Sequence, residues 1–188
     1  MKIVIGLGNP GKSYEKTRHN VGFLAVNYLQ KKWNFPPFSL NKKCAAEIAP
    51  SNSKFKIQYS KFFLVKPQTF MNKSGESIKL LMTFYKLSPA DIIVIHDDLD
   101  LPLGTYKIAM DSRSAGHNGV QNVIDNLGSQ EFHRVRIGIQ PKEPPSSTPR
   151  NNTWAHKFVL EKMSKQEQTV VENLFPSIAL YIDTFLNK

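Results

Sequence analysis

The sequence has a single cysteine, Cys44. One thiol excludes an internal disulfide and any metal site built from cysteines. Long hydrophobic runs are missing too. Apolar stretches such as Phe62-Phe63-Leu64-Val65 and Ile92-Ile93-Val94-Ile95 stop after four residues, against the ~20 that a membrane-spanning helix needs. No apolar signal segment follows Met1, because Lys2-Ile3-Val4-Ile5-Gly6 runs straight into glycines. The expected setting is cytoplasmic, with no membrane contact. Acidic residues are scarce in the first half. Residues 1–90 carry 15 basic and 3 acidic side chains, and residues 91–188 carry 10 and 12. The whole chain has a net charge of +10. Such a surplus points to a polyanionic partner, most often nucleic acid. A lysine-rich solvated surface is the plainer alternative.

What is present suits one folded domain. The 188 residues are 40% hydrophobic and 21% charged, enough to bury a core and unlike a disordered chain. No repeat or low-complexity segment occurs. Lys2–Leu7 reads as a first strand, followed by a polar loop over Gly8–Asn20. Val21, Leu24, Tyr28, Leu29 and Trp33 recur at helical spacing, with Asn20 as the expected N-cap. Pro36-Pro37 ends that helix. Strands are expected over Ala45–Ala49, Phe55–Tyr59 and Phe62–Lys66. A helix capped by Ser74 carries Ile78, Leu81, Met82 and Tyr85. Asp91–His96 has the pattern of a buried strand. Tyr106–Met110 and Arg134–Gln140 are further strands, with a helix over His117–Leu127 between them. Pro141 to Arg150 reads as a linker or flap. A last helix opens at a capping box, Ser164 with Glu167, and is expected to bend at Pro176. Strands alternate with helices, so the class is α/β with one mixed, largely parallel sheet.

Gly6-Leu7-Gly8-Asn9-Pro10-Gly11 matches the dinucleotide fingerprint G-x-G-x-x-G. Three features disfavour that reading. Pro10 and Lys12-Ser13-Tyr14 open no helix after the glycines. Gln30-Lys31-Lys32 stands where an acid should hold a ribose, ~20 residues on. The loop also runs on into Thr17-Arg18-His19-Asn20, which a dinucleotide turn does not need.

The polar groups sit where an open α/β sheet binds ligands, at the carboxyl ends of strands. Asn9 follows the first strand, Gln68 and Asn72 follow the strand ending at Lys66, and Asp97 follows His96. They converge if those strands are parallel. His19 lies in the loop leaving the first strand and reaches the same place. His117-Asn118 opens a helix, whose N-terminus favours negative charge. His19 with Asp97 makes a base and its orienting carboxylate. No serine stands in a G-x-S-x-G elbow, and Cys44 has no histidine beside it. A base without a protein nucleophile implies activated water, hence hydrolysis. Asn9, Asn72 and Asn118 are neutral donors suited to a developing oxyanion. A hard-cation site at His96, Asp98 and Asp100 would need the strand to continue, but Leu99-Asp100-Leu101-Pro102 reads as a turn. His133 and His156 have no ligand spacing.

Five blocks together resemble the bacterial peptidyl-tRNA hydrolases. They are Gly6-Leu7-Gly8-Asn9-Pro10-Gly11 with Tyr14 and Thr17-Arg18-His19-Asn20-Val21-Gly22; Lys66-Pro67-Gln68-Thr69-Phe70-Met71-Asn72-Lys73-Ser74-Gly75; His96-Asp97-Asp98-Leu99-Asp100-Leu101-Pro102-Leu103-Gly104; Gly116-His117-Asn118-Gly119; and Phe132-His133-Arg134-Val135-Arg136-Ile137-Gly138-Ile139. They run in family order to about residue 140. The resemblance implies hydrolysis of the ester joining a peptide to the 3′ ribose of tRNA, which returns the tRNA to translation. It implies a cytoplasmic, metal-independent, cofactor-free monomer. The fold would be a three-layer α/β/α single domain over 1–188, with a flap within it at 141–160. His19 would be the catalytic base and Asp97 its partner. Asn9, Asn72 and Asn118 would position substrate and water, and Tyr14 and Met71 would line the cleft near the 3′ end. Arg136, with Lys107, would grip the 5′-phosphate of the acceptor stem.

The chain departs from that pattern in three places. Ala115 stands where a second glycine is usual. Ala109 stands where a second basic residue is common, so Lys107 or Arg113 would have to assist Arg136. The 141–150 segment is longer and richer in proline than is usual. Splicing-factor relatives of this fold bind RNA without cleaving it. The intact His19–Asp97 pair favours the enzyme.

Overall fold

The β-branched run Lys2–Gly6 forms β1, and it lies in the middle of the sheet. The computed structural model describes residues 1–51, 62–141 and 152–187. After β1 come a 3-10 turn at Arg18–Asn20, helix α1 (Val21–Lys32), and strands β2 (Ser39–Asn41), β3 (Ala46–Pro50) and β4 (Phe62–Pro67). A second 3-10 turn, Met71–Lys73, leads into α2 (Ser74–Tyr85). Then follow β5 (Ile92–Pro102), β6 (Tyr106–Ala109), α3 (Asn118–Leu127), β7 (His133–Gln140), α4 (Asn152–Leu160), α5 (Lys165–Glu172) and α6 (Phe175–Leu186).

Among the described residues the strands form one sheet in the order β2-β3-β4-β1-β5-β7-β6. The central neighbours β4, β1, β5 and β7 run parallel, while β2, β3 and β6 pair antiparallel at the two sides. Parallel strands are covered on both faces and therefore read as continuous apolar runs. One face of Val4, Leu64, Ile93 and Ile95 packs against α1 and α6 through Val26, Leu29, Ile178 and Ile182. The other face, Ile3, Ile5, Val65 and Val94, packs against α2 and α3 through Ile78, Leu81, Val120 and Val123. The result is the expected α/β/α sandwich around a mixed, largely parallel sheet.

Several local expectations change. β5 does not stop at His96 but continues to Pro102, with a register shift between Asp98 and Pro102 where it follows β7. Asp97 is thus inside a strand, not after it. The short edge strand β2 was not legible, since Ser39-Leu40-Asn41 has neither length nor alternation. Asn20 makes no side-chain cap on α1. Its amide is taken by the backbone of Asn9, accepting from the N–H at 2.8 Å and donating to the carbonyl at 2.9 Å. Ser74 likewise caps nothing, because its hydroxyl donates to the Met71 carbonyl. The Ser164–Glu167 capping box is present. The helix after it breaks rather than bends, and Pro176 falls in the first turn of α6, where a missing N–H costs nothing. The expected strand at Phe55–Tyr59 and most of the 141–150 segment lie outside the described residues.

Gly6 and Gly22 of the first block serve helix-on-strand packing. A Cβ on Gly6 would lie 2.1 Å from the Gly22 carbonyl oxygen of α1. A Cβ on Gly22 would lie 2.4 Å from the Ile95 carbonyl oxygen of β5. The start of α1 therefore rests directly on backbone, and the turn carrying His19 is drawn onto the strand ends. Gly6→Ala must separate these backbones, because no flexible side chain can give way. It is expected to cost about 3 kcal/mol of stability, measured as a lowered urea midpoint. An unchanged midpoint would show that the contact is soft.

Candidate active site

The parallel arrangement of β4, β1 and β5 places their carboxyl ends side by side. The 3-10 turn before α1 brings His19 there. His19 Nδ1 lies 2.9 Å and 3.0 Å from the two carboxylate oxygens of Asp97. Asp97 is buried and His19 is half-buried. With Nδ1–H donated to the carboxylate, Nε2 is the basic atom. A cavity of about 420 Å³ opens here, lined by His19, Asp97, Asp98, Asp100, the 114–118 turn, and Ala155, His156 and Val159 of α4.

A third group belongs to this network, and no sequence signal singled it out. His117 Nε2 lies 3.0 Å from the same Asp97 oxygen that His19 contacts. His117 is also the N-cap of α3, its Nδ1 accepting from the Val120 N–H at 3.2 Å. An accepting Nδ1 places the ring proton on Nε2, so His117 donates to Asp97. A histidine acting as an N-cap is outside the usual Ser, Thr, Asp and Asn set, which is why the residue read only as the start of a helix. His96 packs edge-on against the His117 ring, with centroids 4.8 Å apart. It donates from Nδ1 to the Asp97 carbonyl. Burial, reinforced by the nearby His117, drives its pKa well below that of a free histidine.

The electrostatics follow from this arrangement. Burial alone would raise the Asp97 pKa, but the two imidazoles hold it well below the usual carboxylate range. Burial alone would lower the His19 pKa. The charge of Asp97 and its hydrogen bond outweigh that, and His19 sits above an ordinary histidine.

The ligand atoms of His19, Asp97 and His117 lie within 4.8 Å of one another, a plausible donor set for a metal ion. The cap argues otherwise. A metal on His117 Nε2 would leave the ring proton on Nδ1, facing the Val120 N–H donor. A hydrogen-bonded network suits these three groups better. At the second cation candidate the strand does continue through Asp100. However, Asp98 is bonded to Arg136 Nε at 2.5 Å, and His96 to backbone.

The remaining expected residues divide into groups. Asn118 lines the cavity. Asn9 is buried, and its side-chain oxygen accepts from the Met71 N–H at 2.8 Å. It thereby ties the end of β1 to the 3-10 turn carrying Met71 and the exposed Asn72. Met71 is buried against Gly119, where a Cβ would meet its sulfur at 2.4 Å. Tyr14 packs edge-on to the exposed Phe70, with centroids 6.4 Å apart. Asn9 itself borders a neighbouring polar cavity lined also by Asn20, Lys66 and Gln68, rather than the one at His19.

Lys107 on β6 stands directly opposite Arg136 on β7, so both side chains share a face. Ala109 faces Arg134. That arginine is buried and donates to the carbonyls of Ser112 and Arg113. It holds the loop and is not a free cation.

A family model for peptidyl-tRNA hydrolase matches residues 3–188. The peptidyl-tRNA hydrolase of Bacillus cytotoxicus is 40% identical over 188 residues, covering all of this chain and 94% of the relative. That of Brevibacillus brevis is 47% identical over 147 residues, covering 78% of this chain and 75% of the relative. The crystal structure of the peptidyl-tRNA hydrolase of Acinetobacter baumannii superposes with a TM-score of 0.85 at 27% identity, covering all of this chain and 93% of that one.

The turn leading to His117 carries backbone strain. Ala115 has φ of +50° and Gly116 has φ of +76°. The left-handed region costs a residue with a Cβ about 1–2 kcal/mol, and Gly gives back part of that gain through its unfolded-state entropy. Ala115→Gly is expected to raise stability by about 0.5–1 kcal/mol in urea denaturation. A lower midpoint in the variant would show the turn to be relaxed.

Proposed function

Because the chain belongs to the peptidyl-tRNA hydrolase family, whose reaction is the hydrolysis of peptidyl-tRNA, we propose that His19 is the base that activates water for it, oriented by Asp97. The observation that carries this reading is the paired contact of His19 Nδ1 with both oxygens of a buried carboxylate. The scissile bond is the ester between the peptide and the 3′ ribose of tRNA. His19 Nε2 takes a proton from water as the oxygen adds to the ester carbonyl. The imidazolium that forms is stabilised by Asp97. It then returns the proton to the departing 3′ oxygen, giving free peptide and free tRNA. His117 donates to Asp97 from the other side and keeps the carboxylate ionised and aimed.

Asn9, Asn72 and Asn118 supply neutral amide donors for the substrate and for the tetrahedral oxyanion. Asn9 acts partly through structure, since its oxygen is committed to the Met71 N–H. Tyr14 and Met71 form the wall nearest the 3′ end. Lys107 and Arg136 grip the 5′-phosphate of the acceptor stem. Arg136 spends its Nε on Asp98, which orients the guanidinium and leaves its terminal nitrogens for phosphate. The exposed Arg113 assists where Ala109 offers nothing.

The whole chain 1–188 acts as one catalytic unit, a monomer working in the cytoplasm where its tRNA substrate is found, with the segment 141–160 as its flap. No helix among the described residues is long and apolar enough to cross a membrane. The reaction as drawn uses no metal or other cofactor.

The pH dependence tests the base. His19 must be unprotonated to accept the water proton, and its pKa is raised. Turnover should therefore climb with pH, with the midpoint above that of an ordinary histidine. Asp97→Asn removes the charge that raises that pKa, so the acid limb should move to lower pH while the plateau falls. His19→Ala should lose about 10²–10⁴-fold in kcat, more than Asp97→Asn, with tRNA affinity retained. An Asp97→Asn enzyme with an unmoved acid limb would remove the pair from the mechanism.

The phosphate grip is tested with acceptor-stem substrates bearing or lacking the 5′-phosphate. The wild type should prefer the phosphorylated form. Arg136→Ala should largely erase that preference and reduce the salt slope of binding by about 1. Equal hydrolysis of both substrates by the wild type would place the phosphate elsewhere.

A further inference from the structure

The residue before His19 is an arginine that reaches away from the reacting atoms. Arg18 is buried, at 8% exposure. Its Nη1 donates to the Phe158 carbonyl at 3.2 Å and to Glu161 Oε2 at 3.4 Å. Its Nη2 donates to Glu167 Oε1 at 2.7 Å. The guanidinium carbon stands 4.0 Å from the centre of the Phe158 ring. The backbone joins in, with the Arg18 N–H donating to the Glu161 carbonyl and the Met163 N–H to the Lys16 carbonyl.

Each contact has a meaning for α4. The last carbonyls of a helix lack internal partners, and a cation there is favoured by the helix dipole. Arg18 supplies both to the final turn of α4 and stacks on its Phe158 ring. The same guanidinium holds Glu167, the residue that completes the capping box of α5. Burial would raise the pKa of that carboxyl, and the Arg18 hydrogen bond holds it low. One side chain therefore joins the turn bearing His19, the end of α4 and the start of α5. Among the described residues, α4 packs most closely against the Arg18–Asn20 turn. Ala155, His156 and Val159 of α4 form a wall of the cavity at His19.

The geometry points to Arg18 as the positioning residue that sets the α4 wall over the catalytic cleft, and so as a determinant of peptidyl-tRNA affinity rather than of the chemical step. This rests on the function proposed above. The Arg18 guanidinium bonds to Phe158, Glu161 and Glu167 and not to His19 or Asp97. It acts by fixing where Ala155, His156 and Val159 stand relative to His19. A lysine keeps the charge but cannot form the fork that serves Phe158, Glu161 and Glu167 together.

The test uses the full chain with Arg18→Lys and, as a milder variant, Glu167→Gln. The Gln oxygen still accepts from the Ser164 N–H, so the capping box survives while the ion pair is lost. Hydrogen exchange should quicken by about 10-fold at the amides of residues 155–160, and not in β1 or β5. The KM for peptidyl-tRNA should rise by roughly 5–10-fold in Arg18→Lys, with kcat within about 2-fold of the wild type. The acid limb of kcat should not move, because the His19–Asp97 contact is intact. Glu167→Gln should follow in the same direction with smaller effects, and it decides the matter if Arg18→Lys fails to fold. Wild-type exchange over 155–160 in the folded variants would overturn the anchor. Faster exchange with an unchanged KM would overturn its link to substrate. A shifted acid limb would show that Arg18 acts through His19 instead. A wild type that leaves peptidyl-tRNA uncleaved would sink the function proposed above, and the exchange data would still decide the anchor.

Discussion

A buried carboxylate, Asp97, sets the terms for everything around it. An uncompensated charge in that position would cost several kcal/mol, so the fold must supply partners from outside the strand. It does so from two directions, His19 from the turn before α1 and His117 from the N-terminus of α3. Neither histidine is near Asp97 in sequence. The contacts between β1, β5 and the two helices on opposite faces of the sheet are what bring them together. With His19 as the proposed base, stability and function share one arrangement, because the interaction that makes Asp97 tolerable also raises the basicity of His19.

That dependence explains the close packing at the head of α1. The His19 turn can reach Asp97 only if α1 begins on the strand ends, and Gly6 and Gly22 permit this by presenting backbone to backbone. On the other face, Gly119 lets the Met71 sulfur sit against the first turn of α3. His117 caps that turn and donates to Asp97, so the two faces are tied through one carboxylate. Of the glycines that superficially match a dinucleotide fingerprint, Gly6 and Gly8 are needed for packing against α1 and Gly11 for its positive φ, and no pyrophosphate is required to account for them.

The layered architecture was readable from the sequence because buried parallel strands are short apolar runs and the helices between them keep a clear period. His19 and Asp97 are readable because the apolar run of β5 ends at His96 and the loop leaving β1 carries His19, and such sheets place their ligands at strand ends, although β5 itself runs on past Asp97. His117 was not readable in its true role, since the bond it makes depends on the depth at which α3 meets the sheet. The continuation of β5 past His96 was hidden by Asp98, Asp100 and Pro102, residues that locally favour a turn. Pairing with β7 overrides that preference. In the sequence Arg18 stands out only as part of a motif. Its partners Phe158, Glu161 and Glu167 lie about 140 residues away, and local spacing carries no trace of them.

The charge distribution poses a last problem. A polyanionic substrate must approach a cavity walled by Asp97, Asp98 and Asp100. Asp97 is bonded by two imidazoles and Asp98 by Arg136, so much of that negative charge is locally compensated. The net positive field comes from the first 90 residues, where bases outnumber acids 15 to 3. Exposed charges act over a Debye length of about 8 Å at physiological salt, which is long enough to gather phosphate at the surface. The ester carries no full charge, and in the proposed mechanism it is met by asparagines. Attraction and chemistry are thus separated in space. In the proposed mechanism, lysines and arginines on the surface supply affinity, and the neutral amides and the His19–Asp97 pair act on the seated 3′ end.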